Sequence, residues 1–178
     1  MKLKIINKEP FSFDLEEFKV YARITTNSDD ALLETLLNTA FEQTEAITNR
    51  ALSITEYELY LDEIKTFELP RAPFVELKSV EKLDGNDYVL FTGFKLDDKD
   101  EVAKVFIDEP FICENINCLK VSFKAGYSEI PKDLKIYCFA KALTMYEYRG
   151  SLEDVQVNKV DNPFLEGFID KYKIRTFV

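Results

Sequence analysis

Residues 29–49 have the clearest amphipathic pattern in the chain. Apolar and small side chains recur at helical spacing on one face: Leu32, Leu33, Leu36, Leu37, Ala40, Thr44 and Ile47. Acidic and amide side chains occupy the opposite face: Glu34, Asn38, Glu42 and Glu45. This pattern predicts a long helix with one buried face. A short helix is predicted before it at 15–22, capped by Asp14, with Glu17 placed to reach back as in a capping box.

After Arg50 the period changes from helical to alternating. Tyr57, Leu59 and Leu61 alternate with more polar residues, which predicts a strand with one wetter face. The turn signal "DGND" joins two segments of a predicted hairpin. Further short strands are predicted at "FKLD", "AKVFID" and "CLKVSFKAGY". Residues 54–127 are therefore predicted to form a β module of roughly five to seven short strands.

A helix is predicted again at 131–149, where Pro131 suits the first turn and Gly150 can end the helix. The segment Ile136–Tyr148 is apolar almost all round, so we expect it to be covered almost all round. We predict that one side packs on the Leu32, Leu36, Ala40 and Ile47 face of the long helix. The β module or a neighbouring subunit would close the other side. Asn162 and Pro163 predict the start of a last short helix.

The order of elements predicts an α+β protein that is mainly helical. We expect a single domain over 1–178, built as a small bundle of about four helices. An antiparallel β module would be inserted between the second and third helices. The predicted parts are a bundle at 13–50 and 128–150, the β insertion at 54–127, and a C-terminal segment at 151–178.

Composition narrows the function classes. The 178 residues include 33 acidic and 23 basic side chains, for a formal charge of −10, which argues against a nucleic-acid binder with a basic face. The chain has no histidine, so the commonest general base and zinc ligand are missing. Cys113, Cys118 and Cys138 are interpreted as free thiols in a reducing compartment. No membrane span and no signal-peptide core are apparent, so we expect a protein that is cytosolic where it is made.

One acidic cluster is dense enough to consider as a metal site: Asp97, Asp98, Asp100 and Glu101 in "LDDKDE". The glycine and distant glutamate of an EF-hand are absent, which favours a solvated loop. Gly126 in "AGY" is interpreted as a turn between a strand and a helix, because one glycine does not make a phosphate loop. We therefore predict no catalytic residues, no metal and no cofactor.

The order of the motifs resembles the phage head–tail connector family, also called head–tail adaptors. The resemblance rests on "DLEEFKVYARI", on "SDDALLETLLNTAFEQTEAITNRAL", on "LPRAPFVELKSV", and on "VSFKAGYSEIPKDLKIYCFAKALTMYEYRG". In the family, a capped helix leads to an arginine and a run of acids before a long helix. An L-P-x-x-P segment follows, and then a strand that closes on A-G-Y before a proline-started helix. The resemblance covers about residues 13–150.

The resemblance implies a non-enzymatic virion protein of the neck, assembled in the host bacterial cytoplasm. Its subunits would form a dodecamer-type ring below the portal protein and extend the DNA channel. The ring would dock a head-closure or tail-completion protein, and DNA would pass through without specific binding. In such a ring the acidic face formed by Glu34, Asn38, Glu42 and Glu45 is our candidate for the channel side, since a basic lining would retard phosphates.

Four aromatic residues near the C-terminus are our candidates for contact with a neighbouring subunit or protein: Phe164, Phe168, Tyr172 and Phe177. They offer more apolar surface than a short terminal helix easily buries on one small domain. Two alternatives to the connector hypothesis remain. One is an acidic adaptor or inhibitor that binds a basic partner protein. The other is a metal-dependent enzyme that uses the carboxylates of 97–101.

Overall fold

The computed structural model describes residues 1–63, 65–108, 116–148 and 163–174, with residues 163–166 described by their backbone alone. The helices are α1 (Leu15–Ala22), α2 (Asp30–Thr48), α3 (Lys132–Glu147) and α4 (Pro163–Asp170). The first four strands are β1 (Lys2–Lys8), β2 (Thr55–Leu61), β3 (Phe67–Glu68) and β4 (Phe74–Asp84). The others are β5 (Asp87–Leu90), β6 (Phe94–Asp97), β7 (Lys104–Ile107) and β8 (Leu119–Ala125).

The described residues fall into two compact units. The β unit takes the described residues of Met1–Pro10 and Asn49–Ser128, together with Ile174. The α unit takes those of Phe11–Thr48 and Glu129–Lys173. Helix and strand contribute equally to the structure, so the prediction of a mainly helical protein is wrong, while the α+β class is confirmed. Helical pattern is easier to detect over long segments than strand pattern over segments of four residues.

The β unit contains a five-stranded antiparallel sheet in the order β1-β2-β8-β4-β5 and a three-stranded sheet in the order β3-β7-β6. The predicted alternation in β2 is confirmed, because Tyr57, Leu59 and Leu61 are buried and the residues between them are half-buried. The hairpin of β4 and β5 turns at Gly85, whose φ of 63° is the left-handed conformation that glycine tolerates best. Strand β1 was not predicted, although Lys2, Leu3, Lys4 and Ile5 alternate.

In the α unit, the predicted cap of α1 is confirmed in part. The Asp14 carboxylate accepts hydrogen bonds from the backbone N–H groups of Glu16 and Glu17, at 2.9 and 3.3 Å. The Glu17 side chain does not reach back to the cap. It accepts from Lys135 of α3 at 2.8 and 2.9 Å, which ties α1 to α3 instead. Helix α1 therefore ends up fixed both by its cap and by an ion pair to another helix.

The predicted packing of α2 against α3 is confirmed. The buried face of α2 is rotated about the helix axis relative to the face that the sequence predicted. The buried side chains of α2 are Leu33, Leu37, Ala40, Phe41, Thr44 and Thr48. Leu32 and Ile47, assigned to this face from the sequence, are 38% and 39% exposed. Each lies at the border of the apolar stripe, where spacing alone cannot decide between burial and exposure. The Cys138 thiol donates to the Thr44 hydroxyl at 3.3 Å, at the centre of this contact.

Helix α3 is not covered all round. Its buried side chains are Leu134, Cys138, Phe139 and Ala142, which form a single stripe. Phe139 contacts the rings of Phe13 and Phe18, with centroids 5.4 and 5.3 Å apart, so the apolar centre of the α unit is aromatic. Ile136 is 42% exposed on the other side of the helix.

The two cysteines that the structure describes differ in state. Cys138 is a buried free thiol, as predicted. Cys118 is disulfide-bonded, so the prediction of three free thiols is wrong for this residue. Cys113, the third cysteine of the prediction, lies outside the described residues.

Candidate assembly surfaces

Three of the sequence signals that carried the family resemblance, namely Arg50, "LPRAP" and "AGY", meet in one cluster of the β unit. Arg50, which follows α2, forms a parallel bridge with Ala72 of the "LPRAP" segment. One guanidinium nitrogen donates to the hydroxyl of Tyr127, in "AGY", at 2.7 Å. The other donates to the carboxylate of Glu101 at 2.6 Å. Because Arg50 is only 7% exposed, this fork holds three chain segments together from inside the unit.

The backbone closes the same cluster, which we call the motif cluster. The Ala51 N–H donates to the carbonyl of Ala72 at 3.0 Å, and the Gly126 N–H donates to the carbonyl of Pro73 at 2.9 Å. Gly126 has a φ of 142°, and a Cβ atom there would lie 2.2 Å from the Ser53 carbonyl oxygen. Only glycine fits at this position. The "AGY" motif is therefore a close backbone approach, in agreement with the predicted turn.

The chemistry of the motif cluster is that of a structural contact between chain segments. Its side chains are a paired arginine, a tyrosine hydroxyl and a carboxylate. Glu101, assigned from the sequence to an acidic loop, accepts from Arg50, whereas Asp98 and Asp100 are exposed to solvent. Among the described residues, no group of three or more histidine, cysteine, aspartate or glutamate side chains is placed to hold a metal ion.

The outer face of α2 has the predicted acidic character. Glu34, Asn38 and Glu42 are exposed and Glu45 is half-buried. Helix α2 contains no lysine or arginine, so no cation of the same helix offsets these carboxylates. The structure therefore presents Glu34, Asn38 and Glu42 to solvent, whereas Glu45 lies at the margin of the buried face.

The C-terminal candidates are described only in part. In α4, Phe168 is half-buried and Ile169 is buried, and Tyr172, just after the helix, is half-buried. The side chain of Phe164 and the whole of Phe177 lie outside the described residues. Within the α unit, α4 packs against α3.

Other apolar side chains of the α unit are exposed, and sequence reasoning missed them as surface candidates. Val20 is 79% exposed, and Tyr21, Ile136 and Tyr148 are also exposed. For Ile136 and Tyr148 the signal in the sequence was the apolar character of 136–148 on all sides, of which only one stripe is buried. Single exposed apolar side chains are ordinary on protein surfaces, and a contiguous patch of them marks a surface that binds another protein.

The solvent face of the five-stranded sheet carries rows of opposite charge. Glu56 and Glu58 of β2 oppose Lys124 and Ser122 of β8, and Lys120 of β8 opposes Glu81 of β4. The amine of Lys120 lies 2.5 Å from the carboxylate of Glu81. The hydroxyl of Tyr60 donates to Glu58 at 2.7 Å, and this bond, together with burial, raises the pKa of Tyr60 to about 12. The acids of this face are thus largely balanced across strands.

Within the described part of the chain, no helix has both the length and the apolar character needed to cross a membrane.

Comparisons with known proteins agree with the family resemblance that the sequence motifs indicated. Residues 12–71, about a third of the chain, match the family of phage gp6-like head–tail connector proteins. No curated protein matches the chain. The matching residues include α1, α2, β2 and the first part of the motif cluster, up to Arg71.

Three solved structures share the fold. A chain from the neck of an empty GTA particle, computed with C6 symmetry, has a TM-score of 0.80 and 20% identity. A chain from the virion of a native gene transfer agent (GTA) particle has a TM-score of 0.74 and 21% identity. A chain from the neck of a native GTA particle, computed with C12 symmetry, has a TM-score of 0.73 and 21% identity. Each match covers 100% of this chain and 98% of the other chain.

The similarity to these solved structures establishes the fold along the chain. The family match adds a similarity to head–tail connector proteins over residues 12–71. The resemblance to the phage head–tail connector family is therefore confirmed over residues 12–71, and it supports a structural role in the virion.

Proposed function

We propose that this chain is a ring-forming, non-enzymatic subunit of the neck of a phage or phage-like virion. Copies would assemble below the portal protein after synthesis in the host cytoplasm, extend the DNA channel and dock the next neck or tail component. The observation that carries the proposal is the family match over residues 12–71. The shared fold with neck chains of particles computed with C6 and C12 symmetry supports a cyclic assembly.

Exposed apolar residues support lateral contacts in such a ring. A ring subunit uses two different surfaces, one for each neighbour. Val20 and Tyr21 on α1 and Ile136 on α3 offer apolar surface that the described part of the α unit does not cover. Phe168 and Tyr172, with Phe164 and Phe177, are proposed as a further contact to a neighbour.

The acidic outer face of α2 is proposed as the channel side. Exposed carboxylates repel the phosphate backbone, so DNA would pass without being held. A basic lining in the same place would bind phosphates with an affinity that falls with salt.

The assembly is tested by light scattering and electron microscopy of the purified chain, alone and mixed with the portal protein of the same virus. We expect rings of uniform subunit number, at least in the presence of the portal protein. A chain that forms no ring in either case and instead binds a basic protein one-to-one would contradict the proposal. That result would favour the acidic adaptor.

The channel side is tested by changing Glu34, Glu42 and Glu45 to lysine. The variant should fold, because the three side chains are exposed or half-buried, and should still assemble. Particles should fill with DNA but eject it poorly. The matched control changes the exposed acids Glu9, Asp98 and Asp100 to lysine and should eject normally. Normal ejection by both variants would reject the channel assignment and leave the ring proposal standing.

A further inference from the structure

A cavity of about 490 Å³ opens beside β3, which is an edge strand of the three-stranded sheet. Leu61 and Phe67 border the cavity on the core-facing side, where both pack with the buried residues of the β unit. Phe106 borders it on the other side of the sheet, because it follows the buried Val105 in β7 and successive side chains of a strand point to opposite faces. The cavity therefore lies on both sides of the β3 edge.

The backbone of Glu68 points to this open edge. The Leu69 N–H donates to the Ala103 carbonyl at 2.9 Å, so these two residues form a hydrogen-bonded pair with β7. Opposite residues of an antiparallel ladder alternate between hydrogen-bonded and non-hydrogen-bonded pairs, and Glu68 with Lys104 is the next pair. The N–H and C=O of Glu68 consequently point away from β7, where the described residues supply no further strand. An extended segment from another molecule can add to such an edge.

Residues 175–178, "RTFV", have the composition of an added strand. Thr176, Phe177 and Val178 are of the types that favour strands. In an extended conformation Phe177 points to one face of the sheet, and Thr176 and Val178 point to the other. This alternation suits a cavity that has apolar walls on both sides of β3. The cavity volume lies within the range of sites that take small molecules, so it has room for an aromatic side chain.

The charges at the rim of the cavity suit the same segment. Glu63 and Glu68 line the cavity with side chains 71% and 40% exposed, and each is paired with a lysine of the cavity wall. The C-terminal segment brings Lys173 and Arg175 and has no acid after Asp170. A carboxylate that is exposed beside its lysine can accept from a second cation, so the rim favours a basic segment over an acidic one.

The C-terminal segment of the same copy is too short to fill this cavity. Ile174 lies next to Asn49, whose side-chain amide donates to the Ile174 carbonyl at 3.4 Å. Asn49 adjoins the motif cluster, near the Thr55 end of β2. Leu61 is at the other end of β2, about 20 Å away, whereas the chain from Ile174 to Phe177 spans about 10 Å when extended. The segment that reaches the cavity therefore comes from another copy.

We propose that residues 175–178 of one copy add as a strand to the outer edge of β3 of the next copy, with Phe177 in the cavity. This proposal rests on the proposed function, because it identifies the surface that receives the C-terminal contact in the ring. The contact is heterologous, so each copy gives its segment to one neighbour and takes a segment from the other. Backbone hydrogen bonds supply affinity, and the cavity selects the aromatic side chain.

A fluorescent peptide of residues 171–178 tests the contact by anisotropy, with the full-length chain kept dilute enough to remain unassembled. The peptide should bind saturably, and Phe177→Ala in the peptide should weaken binding about tenfold. In the chain, Thr66→Trp should weaken it as much, because Thr66 is exposed at the cavity wall and a larger side chain there fills the cavity. Glu68→Pro should do so by removing the outward N–H without loss of a ladder bond.

The matched control is Leu90→Ala, which changes an apolar side chain that is 69% exposed in the five-stranded sheet and should bind the peptide normally. Circular dichroism checks that each variant folds. A peptide that does not bind, or that binds Thr66→Trp and Glu68→Pro as tightly as the unaltered chain, would overturn the proposal. Rings that the unaltered chain still forms, seen by electron microscopy with the portal protein, would then leave the proposed function intact. Specific peptide binding without any ring would instead overturn the proposed function alone.

Discussion

Arg50 should stabilise the β unit mainly through its buried fork, and Arg50→Met tests this. Methionine keeps an apolar stem of similar length but removes the guanidinium group. The variant loses the bond to Tyr127, of a kind worth about 1.5–3 kcal/mol when one partner is charged. It also loses the ion pair to Glu101, whose side chain is 59% exposed, so solvent screening limits that part to about 1 kcal/mol or less. We expect a total loss near 3 kcal/mol.

Urea unfolding followed by circular dichroism measures the effect. With a slope of about 2 kcal/mol/M, the midpoint should fall by about 1.5 M. Arg50→Lys should recover part of the loss, because an ammonium keeps the charge without the two-pronged geometry. Glu101→Gln, the matched change at the exposed partner, should cost about 1 kcal/mol or less. If Glu101→Gln were as damaging as Arg50→Met, or if Arg50→Met cost under about 1 kcal/mol, the buried fork would not be the source of stability.

Three further predictions concern single positions. Phe139→Ala should destabilise the α unit by about 3–5 kcal/mol in the same assay, whereas Ile136→Ala on the exposed side of α3 should cost under about 1 kcal/mol; equal effects would contradict the one-sided burial of α3. Gly126→Ala should cost about 3 kcal/mol or more because of backbone strain and the clash, whereas Gly85→Ala, which meets no atom within 4 Å, should cost about 1 kcal/mol. Burial raises the pKa of Cys138 to about 11, so native alkylation at pH 8, followed by mass spectrometry, should be about a hundredfold slower than in urea. Because the folded pKa lies above the ordinary value of 9.0, any stability owed to this thiol is present below pH 9 and is lost as the pH rises through 11; rapid alkylation of the native chain would contradict its burial.

Long, regular elements could be predicted from the sequence, but the residues at the edge of a buried helix face could not. The helical period of residues 29–49 predicted α2, and the alternation of Tyr57, Leu59 and Leu61 predicted β2, because each pattern repeats several times. Leu32 and Ile47 were misplaced, because a stripe border shifts with small rotations of the helix. β1 was missed because its core-facing residues, such as Ile5, lie at an exposed sheet edge.

The motif cluster shows a different limit. Arg50, the "LPRAP" segment and "AGY" are separated in the chain, and only the ordered set suggested the family. Their meeting at one place depends on the pairing of β4 with β8, a long-range contact that local pattern does not specify. The glycine requirement at Gly126 likewise comes from the Ser53 carbonyl, which no neighbouring residue of the sequence reveals.

The position of the negative charge links the fold to the proposed function. A net charge of −10 could be spread evenly, but the strands of the five-stranded sheet place acids opposite lysines, as with Glu81 and Lys120. Helix α2 does the opposite, since it has four carboxylates and no basic residue. Asp30 of α2 is paired with Lys19 of α1, which leaves the negative charge concentrated along the outer face with Glu34 and Glu42. Negative charge concentrated on one face repels a polyanion such as DNA more strongly than dispersed charge does, which agrees with the channel side proposed for α2.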